Sequence, residues 1–388
     1  MSESKQTPKA HQKPVTIKDI AENCGVTPAT VSRALNHPNR ISAALTQRIF
    51  AAAAELGYDP SRYQGARRLV MSRFGKRIIN RLIALIAPTR FYAQPFNTQI
   101  FQGLLDVFTP AEYSLLFIVA DDFIKHPLPS SLCQGDVDGV IVQKDLLSVQ
   151  EIVQRLQTEL SFADRPIFTP FQPVSGCSTV LADYYQGSYA AMSHLIDYGH
   201  RTVMVFTDPR GIKFHAANDP FYHRNHGYAQ AMRDRELDPE VHLVHYEVPE
   251  HIWKSMINTT IALREQAVRA FAKAHESFIA DALRQHPDVT AMLAPNDFSA
   301  FILEEMLRFR GLHVPDDMSI VGYDDSDPLY DDDGNSRLTT VRVPLQDIGR
   351  EVARQMLHQV ESHTITPVQI MLPTSFHARQ TTAPPRAL

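Results

Sequence analysis

The sequence predicts an α/β protein: a small three-helix, helix-turn-helix head followed by a larger body built on parallel sheets. Between Thr16 and Leu56, three short segments of helical periodicity are separated by turn residues. From Leu82 onward, short unbroken apolar runs alternate with amphipathic helical stretches, the pattern of strands covered on both faces. At 388 residues the chain exceeds what one core usually serves, so two or three domains are expected.

The head comes first. Thr16 is a good N-cap, and Ile17, Ile20 and Ala21 fall on one face of a short first helix that Gly25 stops. Thr27 or Pro28 starts a second helix, because proline's missing N–H has no intrahelical partner in the first turn. Val31, Ala34 and Leu35 then point inward, which leaves Ala29, Thr30, Ser32 and Arg33 outside with small or cationic side chains suited to a groove. A third helix runs from a Ser42 cap through Leu45, Ile49, Ala52, Ala53 and Leu56 to Gly57. Three such helices, the first two joined by a tight glycine-containing turn, make a DNA reader.

Charge supports this division. The net charge of −5 argues against nucleic-acid binding if read alone. Residues 1–78, however, hold 13 Lys+Arg and 5 Asp+Glu, a net of +8, whereas the remainder holds 25 and 38, a net of −13. A basic head on an acidic body suits a phosphate-binding module joined to a larger partner domain. Cys24, Cys133 and Cys177 are scattered and contain no CxxC pair, so neither a disulfide framework nor a zinc site is expected. Residues 1–14 read as a flexible polar tail without the apolar core of a secretion signal, and no run approaches the ~20 apolar residues of a membrane span. A cytoplasmic location is expected.

After the third helix, residues 62–78 form a basic linker with interleaved apolar residues, too weakly periodic to hold a helix alone in water. The body, residues 79–388, begins with the apolar run Leu82–Ala87, a helix over 98–108, and strands over 114–119 and 137–142. Strands near 166–168 and 179–182, a helix through Tyr189, Met192 and Leu195, and a strand over 202–206 continue the alternation. A strand over 291–294, a helix over 298–311 and a strand over 319–323 follow. Residues 246–288 are mostly helical and longer than the single helix expected there, which leaves a longer helix or an extra helical turn-and-return open.

The run Val15–Leu35 with Asn36, Ser42, Leu56-Gly57-Tyr58 and Pro60 resembles the head of the LacI/GalR family of bacterial repressors. Stations of the body match in order: Val137-Asp138-Gly139, Asp183, His194–Arg201, Arg224–Tyr228, Asn296-Asp297, Val321–Asp325, Leu338–Val341 and Arg379–Thr382. The resemblance implies two subdomains like those of periplasmic sugar-binding proteins, joined by three crossovers near 178, 325 and 363, with an effector held between them. It also implies a hinge that becomes helical when two subunits meet over DNA, with Ala66, Arg67 and Leu69 matching the motif whose leucine wedges into the minor groove. That unit lies farther from Pro60 than the family pattern places it, which leaves Val70 and Met71 open as the wedge.

The expected DNA contacts are Thr16, Thr27, Pro28, Ala29, Thr30, Ser32 and Arg33, with Asn36 and Arg40 positioning the backbone. Pro28 and Ala29 occupy positions the family varies to choose operators; neither side chain donates a hydrogen bond, so recognition there rests on apolar contact such as a thymine methyl. For the effector, the planar fork of Arg224 suits adjacent hydroxyls or a carboxylate, and the matching arginine binds effector in the family. Asp324 and Asn296 follow strand ends, where carboxylate and amide fix hydroxyls. Tyr92, Phe96, Phe171, Phe221 and Trp253 are candidate stacking partners, and the apolar surroundings of Phe171 suggest a less polar or differently oriented effector.

The acidic cluster Asp324, Asp325, Asp327 and Asp331–Asp333 is not read as a metal or catalytic site; Asp331–Asp333 precede the turn signal Gly334-Asn335 and are read as a solvated loop. No HExxH, G-x-S-x-G or P-loop occurs, so no cofactor and no metal is expected. The expected function is sequence-specific transcriptional regulation, with a near-palindromic duplex operator, a homodimer and a sugar-like effector as partners. The alternative is a carbohydrate-acting enzyme with a DNA-binding appendage.

Overall fold

The computed structural model describes residues 15–36, 40–56, 58, 79–89, 94–120, 123, 132, 136–143, 146–159, 165–207, 219–252, 264–326 and 333–386. The tail over 1–14, the hinge residues Ala66, Arg67 and Leu69, and the candidates Tyr92 and Trp253 lie outside them. The chain divides into two compact units, Met1–Asn80 and Arg81–Leu388.

The head contains α1 (Ile17–Cys24), α2 (Pro28–Asn36) and α3 (Ala43–Glu55). The Thr16 backbone N–H and hydroxyl both donate to the Asp19 carboxylate, at 2.6 and 2.8 Å. At the other end Gly25 takes φ 60°, and its N–H donates back into the last turn. The Thr27 hydroxyl accepts from the Thr30 N–H at 3.2 Å, so it caps α2. Ser42 caps α3 through the Leu45 N–H. Ile20, Ala21, Cys24, Val31, Ala34, Leu35, Ile49, Ala52 and Ala53 close over one another with Tyr58.

The body begins with a lobe containing β1 (Leu82–Ala87), α4 (Pro95–Phe108), β2 (Ser114–Val119), β3 (Gly139–Val142), α5 (Leu146–Glu159) and β4 (Ile167–Phe168). Its sheet has the order β2-β1-β3-β4 and is parallel throughout. β5 (Thr179–Ala182) carries the chain into a second lobe. There follow α6 (Tyr184–Asp197), β6 (Thr202–Thr207), α7 (Pro220–Arg233), the single turn α8 (Pro239–His242) and β7 (Leu243–Glu247). Next come α9 (Arg264–Ala274), α10 (Glu276–Gln285), β8 (Val289–Leu293), α11 (Asp297–Phe309), β9 (Ser319–Asp324) and β10 (Thr340–Arg342). The chain ends with α12 (Leu345–Ser362), β11 (Gln369–Leu372) and β12 (Ser375–His377). The second sheet has the order β12-β10-β9-β8-β6-β7; only β12 runs antiparallel, to β10.

The structure departs from the sequence reading in the place of the middle crossover and in four strands that the sequence reading lacked, β7, β10, β11 and β12. The mostly helical stretch over 246–288 begins at the end of strand β7, which pairs with β6, and contains two helices broken at His275, in keeping with a helical turn-and-return rather than one longer helix. Phe271 and Phe278, one from each helix, both pack on the second core. The middle crossover does not lie near 325. Val341 pairs with Tyr323 in the second sheet, so the chain stays in that lobe through β10 and leaves only at Pro344.

Beyond Pro344, α12 returns to the first lobe and lies against α4. Gly103 and Gly349 allow this approach: a Cβ on Gly103 would meet the Gln346 carbonyl, and one on Gly349 would meet the Ile100 carbonyl. Asp106 then accepts from Gln346 and Arg350 at 2.8 and 2.9 Å. β11 pairs with β5 in a two-stranded ribbon, with Met371 opposite Leu181 and Gln369 opposite Thr179. The strands of both lobes therefore deliver their carboxyl ends, with Asp324 at the end of β9, to the region where ligands bind in such sheets.

Candidate functional site

The helix-turn-helix face is built by what α1 and α2 bury. Because Val31, Ala34 and Leu35 are committed to the core, Thr27, Pro28, Ala29 and Arg33 are exposed, with Thr30 and Ser32 half-buried beside them. Thr30 also shares a 2.9 Å hydroxyl–hydroxyl hydrogen bond with Thr27, which ties both to the start of α2. Thr16 is half-buried with its hydroxyl on Asp19, and Arg40 is exposed after the helix. The face therefore offers a proline, a methyl group and short hydroxyls at the N-terminal end of α2, the end at which backbone N–H groups favour phosphate, and the Arg33 cation in its last turn.

In the body, Arg224 and Asp324 come together across α7 and β9. Arg224 is 7% exposed; Nη1 donates to the Pro295 carbonyl at 2.7 Å, and Nη2 lies 3.4 Å from Asp324 Oδ1. Its guanidinium carbon sits 3.5 Å from the Tyr323 ring centroid and 5.0 Å from those of Tyr184 and Phe221, a cation enclosed by aromatic faces. Although burial opposes its charge, Tyr323, Asp324, Tyr184 and Tyr228 hold the guanidinium above its ordinary pKa. Nε is buried without a partner among the described residues. A cavity of about 10 Å³, lined by Thr207, Phe221, Arg224, Asn225, Tyr228 and Pro295 among others, lies alongside.

Burial dominates the acidic partner. It pushes Asp324 up to about 6, against the pull of Arg224. Asp324 also has φ 97°, in the left-handed region that disfavours a side chain. Asp297 is wholly buried and is raised well above its ordinary value by burial and by the Asp324 charge, although Thr340 Oγ1 and the Ser326 N–H donate to it at 2.6 and 2.8 Å. Asp325 goes the other way: burial opposes its charge, but the forks of Arg379 and Arg342 hold it below the ordinary carboxylate range, at 2.8 and 2.7 Å. A carboxylate held in two ion pairs is poorly placed to deliver a proton.

The sequence candidates are thus distributed in two groups. Arg224, Asp324 and Phe221 form one cluster. Phe96, at the start of α4, and Phe171, just past β4, form another, with ring centroids 5.3 Å apart. Phe171 is buried at φ 66°, a strained backbone for a bulky residue. Asn296 lies next to Pro295, but its amide oxygen accepts from the Ser299 N–H at 2.7 Å and caps α11, which leaves the amide N–H₂ for other contacts. Sequence reasoning missed Tyr184, Tyr323 and Asp297. Tyr323 immediately precedes Asp324 and Asp297 immediately follows Asn296, so adjacency was a signal; Tyr184 gave none.

The chemistry is that of recognition. Nη1 and Nη2 of Arg224 each meet one acceptor, Pro295 and Asp324, and Nε meets none among the described residues, so the guanidinium keeps N–H groups for a ligand's acceptor oxygens. Among the described residues, no group of three or more His, Cys, Asp or Glu side chains is placed to hold a metal.

Comparison with known proteins agrees with both units. The family model described as "Bacterial regulatory proteins, lacI family" matches residues 16–61, and the "Periplasmic binding protein-like domain" matches residues 192–382. The HTH-type transcriptional regulator CelR of Thermobifida fusca is 27% identical over 375 residues, covering 94% of this chain and 97% of that protein. The ribose operon repressor of Bacillus subtilis (strain 168) is 27% identical over 373 residues, covering 95% and 98%. Among solved structures, a lac repressor dimer bound to operator and the anti-inducer ONPF matches with a TM-score of 0.58 at 21% identity, covering 96% of this chain and 100% of that one. A CelR–cellobiose complex matches with a TM-score of 0.58 at 21% identity, covering 95% and 99%.

Proposed function

The chain belongs to the lacI family of bacterial regulatory proteins, and from that premise we propose that it is a cytoplasmic repressor without enzymatic activity. It binds a near-palindromic operator as a homodimer, each head reading one half-site. Thr27, Pro28, Ala29, Thr30 and Arg33 address the major groove, Thr16, Ser32, Asn36 and Arg40 the backbone, and the segment containing Ala66, Arg67 and Leu69 the minor groove. A sugar or sugar derivative bound in the body sets the operator affinity. Arg224, Asp324, Asn296 and Phe221 contact it, with Tyr92, Phe96, Phe171 and Trp253 as aromatic walls.

The observation that carries this reading is the capped α2, whose apolar residues are spent on the core while Thr27, Pro28, Ala29 and Arg33 remain in solvent. The sugar class draws support from relatives: a solved CelR structure holds cellobiose and a LacI-family regulator from Enterococcus faecium holds ribose. The change required is modest, since a tenfold to hundredfold shift in operator affinity needs only about 1–3 kcal/mol of coupling.

The test is a selection of bound duplexes from a random pool by the full chain, followed by gel shift with a panel of sugars. A palindromic consensus whose affinity changes with one sugar, recovered unchanged, is the expected result. Sequence-blind binding that no sugar alters would overturn it, and turnover of the sugar would favour the enzyme alternative.

A further inference from the structure

Asp297 opens α11 with its side chain turned into the protein, 1% exposed. Its carboxyl meets three places on the neighbouring strands. Oδ1 accepts from the Thr340 hydroxyl of β10 at 2.6 Å, and Oδ2 accepts at 2.8 Å from the N–H of Ser326, two residues past the end of β9. The third place is Gly322 of β9, where a Cβ would stand 2.5 Å from Oδ1, so the carboxyl lies against bare backbone. Burial of a carboxyl opposes folding unless its oxygens are met. Here both are, and one donor is a main-chain N–H at the exit of an unusual turn.

That turn is strained. Asp324 and Asp325 follow one another at φ 97° and 51°, both in the region that side chains avoid. Three sets of contacts hold it: the Val343 N–H donates to the Asp324 carbonyl at 3.2 Å, Arg379 and Arg342 grip the Asp325 carboxylate, and Asp297 takes the Ser326 N–H. What the turn delivers is the Asp324 side chain, 3.4 Å from Arg224 Nη2.

We propose that Asp297 is a positioning residue for effector recognition: it holds the exit of this turn and thereby keeps the Asp324 carboxyl beside Arg224. The inference rests on the reading of Asp324 as an effector contact. Asp297 acts through Asp324, because a side chain so fully enclosed has almost no surface to offer a ligand. Charge is not the means. Burial and the nearby Asp324 charge drive Asp297 toward its protonated form, so an amide in its place preserves both shape and charge. The amide oxygen can accept from the Ser326 N–H while its N–H₂ donates to the Thr340 hydroxyl. Alanine does neither. Since Asp297→Asn and Asp297→Ala are both uncharged at this position, any difference between them reports the hydrogen bonds.

Asp324 is its own reporter. In the full chain labelled with ¹³C at the aspartate carboxyls, its resonance is identified by its loss in Asp324→Asn, and in the native chain it titrates at about 6. Asp297→Asn should leave that midpoint within about half a pH unit. Asp297→Ala frees the Ser326 N–H and should lower the midpoint by about one pH unit or more, as Asp324 moves from its buried place toward the 3.8 of a solvated carboxyl. Asp297→Leu, which fills the space without hydrogen bonds, should act as alanine does and guards against a variant that fails to fold. Thr340→Val controls for lost stability alone: it should lower the melting temperature but leave the midpoint within about half a pH unit, because the bond to Ser326 stays. Gel shift with cellobiose and ribose, the sugars held by solved relatives, supplies the second readout. The sugar concentration giving half the change in operator affinity should rise at least tenfold in Asp297→Ala and no more than threefold in Asp297→Asn. Equal midpoints in Asp297→Ala and Asp297→Asn, a midpoint that Thr340→Val moves as far as Asp297→Ala does, or an unchanged sugar response in Asp297→Ala would overturn the proposal. The titration uses no sugar, so a native chain that responds to neither sugar counts against the sugar reading, while the Asp324 midpoints still decide this one.

Discussion

Arg224 Nη2 and Asp324 Oδ1 lie 3.4 Å apart, with both side chains more than nine-tenths removed from water. An ion pair in such a place is held as much by its surroundings as by its own attraction, since burial of either charge costs several kcal/mol that the partner must offset.

The first prediction concerns pH. Asp324 titrates at about 6 in the fold, above its ordinary 3.8, because burial outweighs the pull of Arg224. The folded chain therefore binds the Asp324 proton more tightly than the unfolded chain does. This contribution to stability is complete below pH 4 and is lost as pH rises through 6, by on the order of 2 to 3 kcal/mol. Asp324→Asn removes the titration. The melting temperature of the native chain relative to this variant should fall by several degrees between pH 4.5 and 7.5, measured by calorimetry. A relative rise would mean that pairing outweighs burial.

Arg33 is exposed on α2 and makes no part of the head core. Arg33→Ala should weaken operator binding tenfold to a hundredfold in gel shift, the loss of about 1–3 kcal/mol expected for one base contact. The helical circular dichroism of the head should not change. If Arg33 instead touches only phosphate, the loss is uniform across sequences and the salt slope falls by about one. Unchanged affinity for all duplexes would remove Arg33 from the interface.

The head was legible in the sequence because its determinants are local. Thr16, Gly25, Thr27 and Ser42 each act within four residues of themselves, and the apolar periods of α1 to α3 point to a single small core. Strands β1 to β6, β8 and β9 were legible for the same reason, as apolar runs, whereas β7, β10, β11 and β12, which are short or interrupted by polar residues, were not. The middle crossover was not, because nothing in residues 325–343 states that Val341 pairs with Tyr323. Neither was the aromatic enclosure of Arg224, which joins Tyr184, Phe221 and Tyr323 from three separate elements. Pairings of this kind are set by sheet order, which a single sequence does not encode locally.

The α4–α12 crossing offers a test of the corrected topology. A Cβ at Gly349 would overlap the Ile100 carbonyl and crowd the Leu104 N–H, both of them backbone and so unable to swing aside. Gly349→Ala should therefore destabilise the body by about 1–3 kcal/mol, despite alanine's higher helix propensity. Gln346→Ala, which removes only one of the hydrogen bonds to Asp106, should cost about 1 kcal/mol or less. Urea unfolding of the full chain compares the two. Equal stability of Gly349→Ala and the native protein would mean that α12 does not lie this close to α4.

The last prediction separates the structural role of Arg224 from its role in ligand response. Arg224→Met retains much of the bulk between Tyr184, Phe221 and Tyr323 but leaves Asp324 buried without its cation, which should cost about 3–5 kcal/mol at neutral pH. Adding Asp324→Asn removes the stranded charge, so the double variant should recover most of that loss in urea unfolding. Neither variant touches the head, so operator affinity without sugar should stay within a few-fold of native. Both should lose the change in operator affinity on adding the sugar, because neither keeps the fork that meets hydroxyls, and the double variant lacks the carboxylate as well. A double variant that is stable and still responds to sugar would place the effector contacts elsewhere in the body, and a single variant as stable as native would show that the pair is solvated rather than buried.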